Sequence, residues 1–147
     1  MTLNELRDIV HANALDKGFY ATADRLMMAA GYAVGQELCS SDIRRDLEHL
    51  FFAQRIALIQ SEASEALEAD RKNRHANVSS MEAAIELRGF RSDDFEKYIK
   101  DSVEDELADT IIRLLDLCGA MGIDIAQHVE WKQAYNSTRP MLHGKEY

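Results

Sequence analysis

The sequence predicts an all-α protein, a helical bundle of four to five helices in a single domain over residues 1–147. Three observations favour this fold class. Proline occurs once and glycine seven times, so few residues interrupt regular structure. The long segments between them place apolar side chains at helical spacing. Hydrophobic residues make up 46% of the chain, which is enough for a globular core.

The first half of the chain predicts two clear helices and one weaker one. The two clear helices span residues 3–16 and 42–72. The weaker helical pattern lies between them, over residues 21–35. Gly18 is expected to end the first helix in the left-handed conformation. Ser40 or Ser41 is expected to cap the helix that begins at residue 42.

The second half predicts a short helix followed by two longer ones. Polar residues 73–80 form a connection, and Ser79 or Ser80 is expected to cap a short helix over residues 81–87. A long helix opens at Ser92 and continues to the glycines near residue 120. The last helix starts at Asp124 and stops before the single proline. No linker or low-complexity tract divides the chain.

Charge and composition narrow the classes of partner. The chain has 26 acidic and 17 basic residues, a formal net charge of −9. Because this surplus repels a phosphate backbone, we expect no nucleic-acid partner. No apolar run reaches the roughly 18 residues of a membrane span, so no membrane partner is expected. Cys39 and Cys118 match no metal or redox spacing, and we expect reduced thiols in a cytoplasmic protein.

Two glutamates lie on an apolar face of the helix predicted over residues 42–72. At about 100° per residue, Glu65 falls close to Glu62 on the helix surface. The apolar side chains that share this face are Leu58, Ile59, Ala66 and Ala69. An ionised carboxylate without a partner is costly to bury. We therefore expect a cation beside these glutamates.

The long helix that opens at Ser92 repeats this pattern. Glu106, Asp109, Arg113 and Asp116 follow one another at helical spacing and form a polar stripe. The apolar face beside this stripe consists of Val103, Leu107, Ile111, Leu114 and Cys118. The acids are therefore expected to border the core. Arg113 is expected to form an ion pair with Asp109 or Asp116.

Two antiparallel helices could bring these acids together. Glu62, Glu65, Glu106 and Asp109 would then form an oxygen-only ligand set, which suits Mg²⁺, with Mn²⁺ as a substitute. The alternative is that all four are ordinary solvated acids, since glutamate is a strong helix former. A di-iron carboxylate site is excluded because it needs Glu-x-x-His pairs, and no histidine follows a glutamate by three residues.

A basic strip lies near the C-terminal end of the last predicted helix. Lys132 and Asn136 are four residues apart and share a helix face, and Arg139 follows three residues later. Two cations and an amide in this arrangement can hold a polyphosphate. The alternative is a solvated helix end, where cations are favourable in any case.

Several segments together resemble the MazG-like all-α nucleoside triphosphate pyrophosphohydrolases. The two acid motifs of that family, E-x-x-E and E-x-x-D, match Glu62 with Glu65 and Glu106 with Asp109. The segments that carry the resemblance cover roughly half of the chain and are residues 11–19 (HANALDKGF), 58–69 (LIQSEASEALEA), 103–117 (VEDELADTIIRLLDL), 132–140 (KQAYNSTRP) and 143–145 (HGK). Forty residues separate the two motifs, a longer spacing than is common in the family. Residues 27–46 have no familiar counterpart.

The resemblance implies a function and a site. It implies Mg²⁺-dependent hydrolysis of ribo- or deoxyribonucleoside triphosphates to monophosphate and pyrophosphate, in the cleaning of nucleotide pools. It also implies that the four acids hold the metal. We expect one of these carboxylates, with Glu65 favoured, to act as the catalytic base. The predicted substrate contacts are Lys132, Asn136 and Arg139. Members of the family assemble as dimers or tetramers, so a homodimer or homotetramer is expected.

Other functions remain open at this point. One is a non-catalytic helical module that binds a metal ion or a nucleotide. A second is a helix-bundle interaction protein in which the acids are incidental. A third is hydrolysis of phosphoribosyl-ATP, which uses the same helical scaffold.

Overall fold

The computed structural model describes residues 1–36 and 42–140. Over these residues the chain forms seven α-helices and no β-strand, so the all-α fold class is confirmed. The helices are α1 (Leu3–Asp16), α2 (Ala21–Gly35), α3 (Ile43–Arg71), α4 (Val78–Arg88), α5 (Ser92–Tyr98), α6 (Val103–Ala120) and α7 (Ile125–Ser137). The count exceeds four to five because the mildly periodic segment is helical and one predicted helix is divided. None of the described helices has the length and apolar character that crossing a bilayer requires.

Three expectations fall outside the described residues. They concern the caps Ser40 and Ser41, the thiol of Cys39 and the family-like residues 143–145. Asp42 holds the N-cap position of α3 in the described part of the chain.

The first three helices form where the periodicity predicts them. At the start of α1, the Thr2 hydroxyl accepts a hydrogen bond from the backbone N–H of Glu5, and the Glu5 carboxylate accepts one from the N–H of Thr2. This capping box satisfies N–H groups that a helix start leaves without partners. Gly18 has a φ of 76°. It therefore adopts the predicted left-handed conformation, which glycine enters without steric cost.

The start of α4 differs from the prediction. The helix begins at Val78 instead of residue 81, and its N-cap is Asn77 instead of Ser79 or Ser80. The Asn77 side chain accepts a hydrogen bond of 3.1 Å from the backbone N–H of Ser80. Asparagine and serine are about equally good N-caps, so the local sequence did not distinguish these candidates.

The predicted long helix from Ser92 is wrong, because it is divided into α5 and α6. The break covers residues 99–102, where Asp101 has a φ of 57°. Aspartate is one of the few residues that tolerate this left-handed conformation. The Ser102 hydroxyl accepts a hydrogen bond from the N–H of Asp105, and the Asp105 carboxylate accepts one from the N–H of Asp101. These bonds cap α6 and stabilise the turn before it.

Hydrogen bonds between two connections hold the break in place. The N–H of Asn77 donates to the carbonyl of Tyr98 at 2.8 Å, and the N–H of Val103 donates to the carbonyl of Arg74 at 3.0 Å. The connection between α3 and α4 is therefore hydrogen-bonded to both ends of the break between α5 and α6. Since tertiary hydrogen bonds of this kind override local helix propensity, no glycine or proline is needed to end α5.

The chain divides into two compact units. The first consists of Met1–Phe19 and the part of the chain from Leu115 onward, and the second is Tyr20–Leu114. The helix α6 contributes residues to both units. The single domain over residues 1–147 stays a prediction.

The second unit is built on two helix pairs. In it, α2 packs against α3, and α4 packs against α5. The guanidinium of Arg55 lies 4.2 Å from the ring centroid of Tyr20, a cation–π contact. The buried apolar residues of this unit are mostly small, namely Tyr20, Ala30, Ala66, Ala69, Met81 and Ala84. Several larger apolar side chains of this unit are exposed, among them Met28 and Leu50.

The first unit packs α1 against α7 and against the end of α6. Arg7 donates a hydrogen bond of 2.6 Å to the carbonyl of Ile123, and His11 Nδ1 lies 2.8 Å from Asp116 Oδ1. A Cβ atom on Gly119 would lie 2.6 Å from the Cβ of His11, so only glycine permits this close approach. The buried apolar residues are Ala14, Leu115, Leu117 and Cys118.

Replacing Asp124 by alanine should destabilise the first unit. Asp124 Oδ1 caps α7 by accepting a hydrogen bond of 3.0 Å from the N–H of Gln127, and it also accepts one of 2.8 Å from Nδ2 of Asn4 in α1. These bonds, that of Asn4 most strongly, hold the pKa of Asp124 below its ordinary value of 3.8. We expect the Tm of D124A to be a few degrees below that of the wild type near neutral pH.

The same substitution should show a defined pH dependence. A lowered pKa in the folded state stabilises the fold while the carboxylate is charged, and this contribution is lost as the pH falls below 3.8 through the folded-state pKa. The difference in Tm between wild type and D124A should therefore shrink in acid, as measured by circular dichroism. The control is Asp16→Ala, an exposed aspartate at the opposite kind of helix end. An equal loss in both variants would contradict the capping role.

Candidate metal centre

Carboxylates from α3 and α6 converge at one point of the second unit. Glu62 belongs to α3, and Glu106 and Asp109 belong to α6. One carboxylate oxygen from each of the three lies within 4.8 Å of the other two. The structure thus brings together three of the four predicted acids, which we call the acid cluster. Their role as metal ligands stays a prediction.

The two helices run in opposite directions past the acid cluster. Glu62 contacts Arg113 near the middle of α6. Arg74, beyond the C-terminal end of α3, contacts Asp101 and Val103 at the start of α6. Residues later in the chain around α3 therefore contact residues earlier in the chain around α6, which is the pattern of two antiparallel helices. This antiparallel crossing places Glu62 opposite the face of α6 that carries Glu106 and Asp109, which are three residues apart and therefore lie side by side.

The acids differ in how deeply they are buried. Glu62 and Glu106 expose 7% and 8% of their surface, and Asp109 is more exposed than either. The expectation that Glu65 shares the core-facing position of Glu62 is wrong, because Glu65 is exposed. It accepts a hydrogen bond of 3.2 Å from the Ser61 hydroxyl. Glu65 thus lies outside the acid cluster but on the same helix, one turn away.

Burial and like charges raise the pKa of two members of the acid cluster. Burial is the largest cause for Glu106, followed by the negative charge of Glu65. Burial is also the largest cause for Asp109, followed by the charge of Asp105, while the Arg113 guanidinium acts in the opposite direction. Both raised pKa values mean that the fully charged cluster is unfavourable without a cation.

A guanidinium adjoins the acid cluster. The Nε of Arg113 donates to Oε1 of Glu62, and the two side chains are 40% and 9% exposed. The sequence predicted Asp109 or Asp116 as the ion-pair partner, whereas the structure pairs Arg113 with Glu62 across the two helices. Asp116 is paired with His11 in the first unit. Helix spacing could not reveal the Glu62 pair, since its members are 51 residues apart in sequence.

The acid cluster fits a hard divalent cation. Mg²⁺ and Mn²⁺ prefer carboxylate oxygens, and Mg–O distances are about 2.1 Å, so ligands on opposite sides of one Mg²⁺ lie about 4.2 Å apart. The three oxygens lie within 4.8 Å of one another, which is close to that spacing. Glu62, Glu106 and Asp109 are the residues that would hold the ion.

The apolar face of α6 lies on the surface of the single chain. Leu107, Ile111 and Leu114 are 50%, 51% and 42% exposed, and we call them the α6 apolar stripe. The sequence pattern predicts these residues in the core and the acids at its border. The structure reverses this for Glu106, which is buried, because the acid-bearing face of α6 is the one that meets α3. Cys118 is the one residue of the predicted apolar face that is buried.

The predicted substrate contacts lie in the first unit. Lys132 and Asn136 belong to α7, and Arg139 follows its end. The Lys132 ammonium and the Arg139 guanidinium lie 5.1 and 5.8 Å from the ring centroid of Tyr135. Asn136 Oδ1 is buried and makes no hydrogen bond to a described residue. The basic strip is therefore formed around Tyr135, and its role in substrate binding stays a prediction.

No protein-family model, curated protein or solved structure matches this chain. The likeness to the MazG-like enzymes therefore rests on the sequence motifs, and the site rests on the geometry of its own residues.

Replacing Glu106 by glutamine should stabilise the metal-free protein near neutral pH. The substitution keeps the shape of the side chain and removes a buried negative charge. In a chelating buffer we expect Tm to rise by a few degrees. Because the pKa of Glu106 is raised in the fold, its charged form destabilises the fold above that pKa. The gain should disappear as the pH falls below the ordinary value of 4.5, where the wild-type carboxyl is also neutral.

The control for this measurement is Glu82→Gln, because Glu82 is an exposed glutamate of α4. It should leave Tm unchanged across the same pH range. An E106Q protein that is no more stable than the wild type near neutral pH would show that the charge of Glu106 does not destabilise the fold.

Proposed function

We propose that the chain is a Mg²⁺-dependent pyrophosphohydrolase of the MazG-like kind, which splits ribo- or deoxyribonucleoside triphosphates into monophosphate and pyrophosphate. The observation that carries this proposal is the convergence of the Glu62, Glu106 and Asp109 oxygens within 4.8 Å. The same three residues belong to the two acid motifs that resemble the family. We further propose that the protein acts in the cytoplasm on the nucleotide pool.

The proposed reaction is a hydrolysis at the α-phosphorus. The oxygen of a water molecule forms a bond to this phosphorus while the bond to the bridging oxygen breaks, and pyrophosphate leaves. The exposed carboxylate of Glu65 is the proposed base that takes the proton of the water. Magnesium, held by the acid cluster, would supply positive charge against the phosphate oxygens.

Lys132, Asn136 and Arg139 are the proposed contacts to the substrate. The two cations suit phosphate oxygens, and the amide suits a group that needs both a donor and an acceptor. Their common position around the end of α7 supports this part of the proposal, together with their spacing in sequence.

We also propose that the chain assembles as a homodimer or homotetramer. The α6 apolar stripe supports this, since three large aliphatic side chains on one helix face are exposed in the single chain. Exposed apolar patches of this kind are typical of surfaces that a partner covers. A second copy of the same chain can cover such a stripe by symmetry.

The assembly can be tested by placing a charge in the α6 apolar stripe. The wild type should sediment as a dimer or tetramer, and Ile111→Lys should reduce its mass, because a lysine in a buried interface is unfavourable. The control is Leu87→Lys, at a leucine of α4 that is 78% exposed and outside the stripe. A monomeric wild type would rule out the assembly.

A panel of ribo- and deoxyribonucleoside triphosphates with Mg²⁺ tests the activity itself. Released pyrophosphate and orthophosphate are measured separately, and we expect pyrophosphate with monophosphate and no orthophosphate. A chelator should stop the release. Magnesium-dependent binding of a nucleotide without turnover would instead identify a non-catalytic binding module. The absence of both binding and turnover would overturn the proposed function.

Variants of two acids connect this activity to the site. Glu65→Ala and Asp109→Ala should each lower pyrophosphate release by about 100-fold or more and leave the helical circular dichroism spectrum intact. The matched control is Glu68→Ala, an exposed glutamate of α3 that pairs with Lys72 at 3.1 Å. Full activity in E65A would contradict the assignment of Glu65 as the base. Full activity in D109A would contradict the assignment of Asp109 as a metal ligand.

A further inference from the structure

Arg113 shares one face of α6 with both acids of the second motif. It lies four residues after Asp109 and seven after Glu106, so the helix places all three on the same side. From that face its Nε reaches Glu62 on α3. The guanidinium therefore contacts a member of the acid cluster and lies on the helix face that carries the other two.

The acid cluster and its neighbour Glu65 carry more negative charge than one guanidinium can offset. Among the described residues, Arg113 is the cation recorded in contact with these four carboxylates, Asp105 adds a further negative charge nearby, and two of the four are buried. A buried carboxylate such as Glu62 still needs a positively charged partner when no metal ion is present.

A divalent cation held by the acid cluster would compete with Arg113 for the Glu62 carboxylate. An ion held by Glu62, Glu106 and Asp109 would place two positive charges beside the guanidinium, and like charges repel at that range. Arginine cannot lose its proton to relieve this repulsion. Its side chain is 40% exposed, however, so it can turn toward solvent without leaving a buried charge behind.

We propose that Arg113 is the internal counter-ion of the metal-free site and that a divalent cation displaces it from Glu62 on binding. The inference rests on the proposed function, because it concerns the same three carboxylates. It assigns to Arg113 the role of setting the affinity of the site for metal. The guanidinium stabilises the empty site and weakens metal binding by the same interaction.

Direct measurement of Mn²⁺ binding to the full chain tests this role without relying on activity. By isothermal titration calorimetry, Arg113→Met should bind Mn²⁺ about tenfold more tightly than the wild type, since one charge-assisted hydrogen bond no longer has to be broken. In a chelating buffer the same variant should have a lower Tm, because Glu62 loses its partner. Saturating Mn²⁺ should therefore raise the Tm of R113M by more than that of the wild type.

A second variant covers the case in which R113M does not fold. Arg113→Gln is neutral and can still donate a hydrogen bond to Glu62, so it should fold and should also bind Mn²⁺ more tightly than the wild type.

The structure offers a closely matched control in Arg88, which pairs with the buried Asp94. In this pair the arginine is 44% exposed and the carboxylate 7%, against 40% and 9% for Arg113 and Glu62. Arg88→Met should therefore lower the Tm of the metal-free protein without changing its affinity for Mn²⁺.

The outcomes separate this inference from the proposed function. If the wild type binds Mn²⁺ and both R113M and R113Q bind it equally or more weakly, the counter-ion role is overturned. Weaker binding in both would show instead that Arg113 positions Glu62 as a ligand. If neither the wild type nor the Arg113 variants bind Mn²⁺, the metal site falls, and the role of Arg113 falls with it. A third outcome supports the inference at this site. The Mn²⁺ affinity rises about tenfold in R113M, and this gain is lost in the triple variant that combines R113M with Glu106→Gln and Asp109→Asn.

Discussion

Like charges that are held close together and partly removed from water repel strongly, and this repulsion governs the centre of the second unit. Glu62, Glu106 and Asp109 approach one another because α3 and α6 cross there. Loss of water around the buried carboxylates is the largest cause of the raised pKa of Glu106 and of Asp109, and the neighbouring negative charges raise it further. The Arg113 guanidinium offsets part of this energy through Glu62. A divalent cation would offset more of it, which is the physical basis for the proposed metal site.

The fold brings the acids together through the connections at the ends of these helices. The break at residues 99–102 allows α6 to start at Val103, and hydrogen bonds from Val103 to Arg74 and from Ala76 to the Glu104 carboxylate join α6 to the segment after α3. The bond from Ala76 lowers the pKa of Glu104, so this acid stays charged. Acids two residues apart on α6 thus have different tasks: Glu104 fixes the register of the helices, and Glu106 enters the cluster.

The site and the exposed surface of α6 are two consequences of one helix orientation. Turning the acid-bearing face toward α3 leaves Leu107, Ile111 and Leu114 outside the core of the chain. A single chain that buried this stripe against α3 would have to turn Glu106 away from Glu62. The two arrangements exclude each other within one chain, since both cannot face α3 at once. A second copy of the chain would remove this conflict by covering the stripe.

The sequence by itself determined the all-α class, the helices α1, α2, α3 and α7, and the unusual position of Glu62, because helical periodicity and local stop signals are properties of neighbouring residues. It could not determine the break before α6 or the choice of Asn77 as a cap, which depend on hydrogen bonds between distant connections or on nearly equal local candidates. The partner of Arg113, the exposure of Glu65 and the uncovered stripe on α6 were likewise decided by tertiary structure. Periodicity places side chains on a helix face, whereas only the packing of one helix against another decides which face is covered and which charges meet.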